Sequence, residues 1–106
     1  MKHARLDEMT KGWFVGAFTP TAWTTDTCEV AVKYYKAGDK EDKHFHSIST
    51  EITLILSGDV LMAGREWHAG DIVVMEPGEV TGFEVLTDTI SVVVKTPGVL
   101  GDKYLA

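Results

Sequence analysis

The chain is poor in cysteine, proline, basic charge and long apolar runs. Its single cysteine, Cys28, excludes an intrachain disulfide and fits a reducing, cytoplasmic setting. Three prolines and ten glycines are too few for a collagen-like or low-complexity chain. Lys and Arg number 10 against 16 Asp and Glu, a net charge of −6. That balance argues against nucleic acid as a partner, because phosphate binding needs a cationic surplus or stripe. Lys33, Lys36, Lys40 and Lys43 make no stripe, since Asp39, Glu41 and Asp42 sit among them. The longest strictly apolar run is about four residues, as in Ile72 to Met75, where a bilayer span needs about 20. Lys2, Arg5, Asp7 and Glu8 are followed by no apolar stretch, unlike a secretory leader.

What is present is the composition of a globular protein, 44% hydrophobic and 25% charged. A length of 106 residues suits a single domain, here 1–106 with a core of about 28–96. Apart from a helical turn or two within Lys2 to Thr10, the helical period is absent. Val, Ile, Thr and aromatic residues gather instead in short runs that end at Gly, Pro or Asp. Strands are expected at 13–19, 29–36, 44–47, 51–57, 60–63, 65–68, 72–75, 81–86 and 89–95. Ser57-Gly58-Asp59, Ala63-Gly64, Gly70-Asp71 and Glu76-Pro77-Gly78 are turn signals between them. Short strands at this spacing, without crossover helices, predict an all-β antiparallel barrel or jelly-roll-like sandwich.

Alternation assigns the faces. Lys33 should face water, so Tyr34 should face inward with Val30 and Val32. Glu51, Thr53 and Ile55 share one face of their strand; Ile52, Leu54 and Leu56 share the other. Both faces carry apolar side chains, as does the run Ile90 to Val94. The second face therefore needs a cover, either the N-terminal segment or a second subunit, and a homodimer is expected.

His44 and His46 are two apart on an expected strand, so both imidazoles lie on one face, and Glu51 opens the next strand. Two imidazoles and one carboxylate suit a non-haem Fe(II) centre, or Zn, Ni or Mn. Thr81, Phe83 and Val85 share a face. With Tyr34, Thr53 and neighbouring apolar residues they are expected to line a small-molecule pocket. His68 reads as a strand-end residue, and Trp13, Phe14, Phe18 and Trp67 read as packing.

The frame of this cluster, Gly38-x5-His44-x-His46-x4-Glu51-x6-Gly58, resembles the first conserved motif of the cupin superfamily. Gly70-Asp71-Ile72-Val73-Val74-Met75-Glu76-Pro77-Gly78, running on to Phe83, resembles the second. The likeness spans about Val30 to Lys95. It implies a small cupin barrel, with His44, His46 and Glu51 on three of the family's metal-ligand positions. The second motif departs from the family pattern. Glu76 stands at the usual proline, Thr81 at the usual fourth ligand His, and Val85 at a usual Asn. A neutral hydroxyl is a poor partner for a transition metal beside imidazoles.

Three functions follow. The first is a cupin that binds a divalent transition metal (Fe, Mn, Ni or Zn) and a small molecule, with or without turnover. The second, implied by metal-free members of the family, is sugar epimerase or isomerase chemistry. His46 or His44 would then take a proton and Tyr34 would return one. The third is a non-enzymatic module that binds a small molecule such as a sugar.

Overall fold

The computed structural model describes residues Met1–Ala106. It contains ten strands: β1 (Trp13–Val15), β2 (Glu29–Tyr35), β3 (Lys40–Phe45), β4 (Thr50–Ser57), β5 (Asp59–Met62), β6 (Arg65–His68), β7 (Ile72–Met75), β8 (Thr81–Val85), β9 (Thr89–Thr96) and β10 (Tyr104–Leu105). The one helical element is a 3-10 turn at Leu6–Glu8. The strands form two five-stranded antiparallel sheets, ordered β1-β2-β9-β4-β7 and β10-β3-β8-β5-β6. The result is a sandwich of the jelly-roll type rather than a closed barrel.

The expected strands are recovered with three differences. The strand expected at 13–19 stops at Val15, and residues 16–20 form bends. The stretch from Lys40 to Lys43, expected as a loop before the motif, is the first part of β3. The C-terminal β10 was not foreseen. It is two residues long and pairs with β3, Tyr104 opposite Phe45 and Leu105 opposite His44.

Beta-branched and apolar residues stand on both faces of the first sheet, so register decides what faces in. In β2, Ala31 is fully buried opposite Val93 of β9, and Glu29 is buried opposite Lys95. Glu29, Ala31, Lys33 and Tyr35 therefore line the inter-sheet space. Val30, Val32 and Tyr34 face outward, against the expectation for that strand. Tyr34 is 68% exposed. The expectation failed because it took Lys33 as the marker of the wet face. Lys33 instead lies inside along its aliphatic stem, with its ammonium 4.9 Å from the Trp13 ring centroid.

The apolar core gathers at one end of the sandwich. Ile55, Val60, Met62, Val73, Met75, Phe83 and Val85 pack together, with Tyr35 and Trp67 against them. Gly58, which closes the first motif, makes the β4–β5 turn possible there. Its φ is +97°, and a Cβ would meet Thr89 Oγ1 at 2.2 Å and the Asp88 carbonyl at 2.5 Å. Gly12 does the same at the other end: a Cβ there would lie 1.8 Å from the Val32 carbonyl oxygen. That close approach lays Trp13 across the mouth of the polar end. No helix is long and apolar enough to cross a membrane.

Candidate metal centre

His44 is the fifth residue of β3, His46 follows the strand end, and Glu51 is the second residue of β4. A one-residue bulge sets their aim. Glu41 is paired with Phe83 and His44 with Thr81, so three steps on β3 match two on β8. Without it, Glu41 and His44 would face opposite ways; with it, both line the cavity around the cluster. The bulge also turns the Asp42 carbonyl toward His44, whose Nδ1–H donates to it at 2.8 Å.

His46 is held from the far end of the chain. Its Nδ1–H donates to the carbonyl of Asp102. The Asp102 carboxylate, itself buried, accepts from the Ser47 amide and hydroxyl, the Ile48 amide and the Ser49 amide, at 2.9–3.0 Å. Burial raises the Asp102 pKa, but these bonds from Ser49, Ile48 and Ser47 outweigh it and hold the carboxyl well below the usual range. The loop between the two motif strands is therefore tied to the C-terminal segment, and the pairing of β10 with β3 brings that segment there. Asp102 went unrecognised in the sequence because 53 to 56 residues separate it from its partners.

The cluster closes on Glu51. His46 Nε2 and Glu51 Oε2 are 2.5 Å apart, with both side chains largely buried. The three residues each offer a ligand atom within 4.8 Å of the others. The Glu51 hydrogen bond raises the His46 pKa above 6.5, with burial opposing and the Asp102 carbonyl assisting. Burial pushes Glu51 up, yet its bond to His46 and the nearby charge of His46 and Lys95 bring it below 4.5. With acceptor oxygens at both ring nitrogens, His46 without a metal is an imidazolium paired with a carboxylate.

This donor set fits a transition metal. Each histidine donates Nδ1–H to a backbone carbonyl, the usual support of a ligating imidazole, which leaves Nε2 as the metal-facing nitrogen. Thr81 stands opposite His44 in the register, but its hydroxyl is already engaged. It donates to the Gly82 carbonyl at 2.6 Å and accepts from the Ala63 amide at 2.8 Å. Three protein ligands and open positions remain.

The expected pocket is corrected by this geometry. Beside His44 and Glu51, Thr53, Thr81 and Phe83 line a recess of about 20 Å³, room for about one water molecule; Thr81 and Phe83 also border a broad open depression of about 1090 Å³ that none of the three cluster residues lines. Val85 is core, 1% exposed, and lines no cavity. Tyr34 lies on the outer face, and Tyr35 takes the inward place, its ring 5.1 Å from that of Phe83. Large core side chains fill the space that the pocket reading left open. The space lined by all three cluster residues is a cleft of about 440 Å³ above them, lined also by Trp13, Glu29, Lys33 and Lys95. Trp13 thus lines the site rather than only packing. His68 is exposed at the end of β6, bonded to Asp59 at 2.6 Å, as a strand-end residue should be.

No family model matches the sequence, and no curated protein matches it. Solved structures do. An uncharacterized conserved protein with a double-stranded β-helix domain from Klebsiella pneumoniae is 28% identical over 77% of this chain and 72% of its own, with a TM-score of 0.70. A cupin described as RmlC-like from Desulfovibrio desulfuricans is 20% identical over 71% and 76%, with a TM-score of 0.64. The DMSP lyase DddQ from Ruegeria pomeroyi is 21% identical over 99% of this chain but only 56% of its own length, with a TM-score of 0.73. The chain has the cupin fold, the double-stranded β-helix, as the motif from Gly38 to Gly58 implied.

Proposed function

We propose that the protein holds a divalent transition metal (Fe, Mn, Ni or Zn) through His44, His46 and Glu51 and works on a small molecule in the adjoining cleft. The observation that carries this reading is the support of the two imidazoles. Both Nδ1–H groups are committed to backbone carbonyls, Asp42 and Asp102, so the protein itself has selected Nε2 as the ligand on each ring. When bound, the ion would supply Lewis acidity and open coordination positions. The side chains around it would hold its ligands and present the cleft to substrate.

The metal-free acid–base alternative loses support. Tyr34, which was to return the proton, is on the far side of the sheet, and His46 has both nitrogens occupied. Elemental analysis of untagged protein tests the metal reading. Near one ion per chain is expected in the parent and a trace in His46→Ala. Parent protein that takes up no Fe, Mn, Ni or Zn on incubation would refute it.

A homodimer is the partner this reading favours. The outer face of the first sheet is apolar across β2, β9, β4 and β7, with Val30, Val94, Ile52 and Val74 in one row and Val32, Val92, Leu54 and Ile72 in the next. Tyr34, Leu56, Ile72 and Val74 are each at least half exposed on it. A contiguous apolar sheet face of this kind marks an interface, and a second copy meets it symmetrically.

A further inference from the structure

The cleft above the cluster has a charge unlike the rest of the molecule. It is lined by four of the chain's ten Lys and Arg residues, Lys11, Lys33, Lys95 and Lys103, but by only three of its sixteen acids. None of these lysines forms an ion pair; the Lys and Arg residues that do are Arg5, Lys36 and Lys40. Lys33 and Lys95 are half-buried, and both ammonium groups lie on Trp13, 4.9 and 5.0 Å from its ring centroid. Burial lowers the Lys33 pKa; Glu41 opposes this, and Lys11, Lys95 and Lys103 add to it. An anion in the cleft would relieve that strain.

A second observation is independent of the lysines. Glu29 is 7% exposed, and its Oε2 has no hydrogen-bond partner in the protein. It stands beside Lys95 on the inner face and lines the same cleft. A buried carboxylate oxygen left without a donor costs free energy, and such atoms are rare in native structures. A small side-chain rotation that turns this oxygen to the cleft would let a ligand hydroxyl donate to it.

We propose that the cleft binds a small hydroxycarboxylate, its carboxylate between Lys33 and Lys95 and a hydroxyl donating to Glu29. This names the substrate class for the metal centre proposed above and rests on that reading of the cluster. A cleft of about 440 Å³ is ample for an acid of three to six carbons. The lysines select the charge, and Glu29 favours acids that carry a hydroxyl, because its unpartnered oxygen needs a donor that other acids lack.

Glycerate, propionate, glycerol and inorganic phosphate are the probes, compared by calorimetry and thermal shift on metal-loaded and chelator-treated protein. Glycerate is expected to bind about tenfold more tightly than propionate, the worth of one good hydrogen bond. Glycerol, without the charge, is expected to give no shift. Lys33→Met should weaken glycerate at least about tenfold and Lys33→Arg should restore most of it, which separates lost charge from lost fold. Glu29→Met should abolish the preference for glycerate over propionate. Equal shifts with glycerol or phosphate, or unchanged binding in Lys33→Met, would overturn the proposal. So would glycerate binding that needs the metal and ignores Lys33. Metal content of the same samples separates the two readings: metal without glycerate binding sinks this one, and glycerate binding without metal uptake sinks the other.

Discussion

The two ends of the space between the sheets have opposite characters. One end holds Ile55, Val60, Met62, Val73, Met75, Phe83 and Val85 in a continuous apolar cluster. The other end holds Glu29, Lys33, His44, His46, Glu51 and Lys95 around a cleft. The same strands run through both. Along β4, Glu51 faces the cleft and Ile55 the core; along β8, Thr81 borders the His44–His46–Glu51 cluster and Val85 the core. The difference teaches a division of labour within single strands. One end supplies the burial that folds the chain, at about 25 cal/mol per Å² of apolar surface. The other end carries desolvated charges that cost free energy unless paired or metallated, and keeps them where the core has already been secured.

If that division is right, the largest stability loss should come from the core end. Ile55→Ala, at a fully buried site, is expected to cost about 3–4 kcal/mol in urea unfolding while leaving metal stoichiometry unchanged. A loss of metal from the folded variant would show that the two ends are not separable. Asp102→Ala comes next, at about 2–3 kcal/mol, because four donors lose their acceptor. Unlike Ile55→Ala, it should also lower metal affinity about 10- to 100-fold, since it loosens the support of His46. Isothermal titration on both variants draws the contrast.

A smaller effect, about 1 kcal/mol, is expected from pH. Asp102 and Glu51 titrate below 3.8 and 4.5 in the fold, so their stabilisation is complete above those ordinary values and fades as pH falls through the folded ones. His46 titrates above 6.5, so its stabilisation is complete below 6.5 and fades as pH rises through its folded pKa. Metal-free protein should therefore melt highest between about pH 4.5 and 6.5 and lower on either side. Metal should remove the alkaline decline, because the ion takes the place of the His46 proton. Melting curves across pH, with and without metal, check both signs. The smallest effect on the monomer is expected from Ile72→Lys on the outer face, where the side chain is 61% exposed. It should change folding stability by less than about 0.5 kcal/mol yet split the proposed homodimer, as read by sedimentation.

The cluster was legible in the sequence because its three ligands are local. His44, His46 and Glu51 span eight residues, and two consecutive strands, one in each sheet, are enough to bring them together across the inter-sheet space. The strands were legible for a similar reason: alternation and turn residues act over a few positions. Tyr34 and Tyr35 show where this stops. Both are β-forming aromatics beside a lysine, and their own stretch of chain contains nothing that says which faces inward. The register with β9 decides it, by placing Ala31 opposite Val93 and Glu29 opposite Lys95. The bulge that aims His44 has no signature in Asp42-Lys43 and follows from pairing with β8.

The sequence by itself determined an all-β chain with a short-range His-His-Glu cluster in a cupin frame. Only the tertiary structure decided which space is open, which tyrosine faces it, and what holds His46 in place. It also joined Glu29, Lys33 and Lys95 with Trp13 into one lining. The physical reason is range. Turn preference and side-chain alternation are properties of a few consecutive residues, whereas register, cavity volume and electrostatic surroundings arise from strands far apart in the chain.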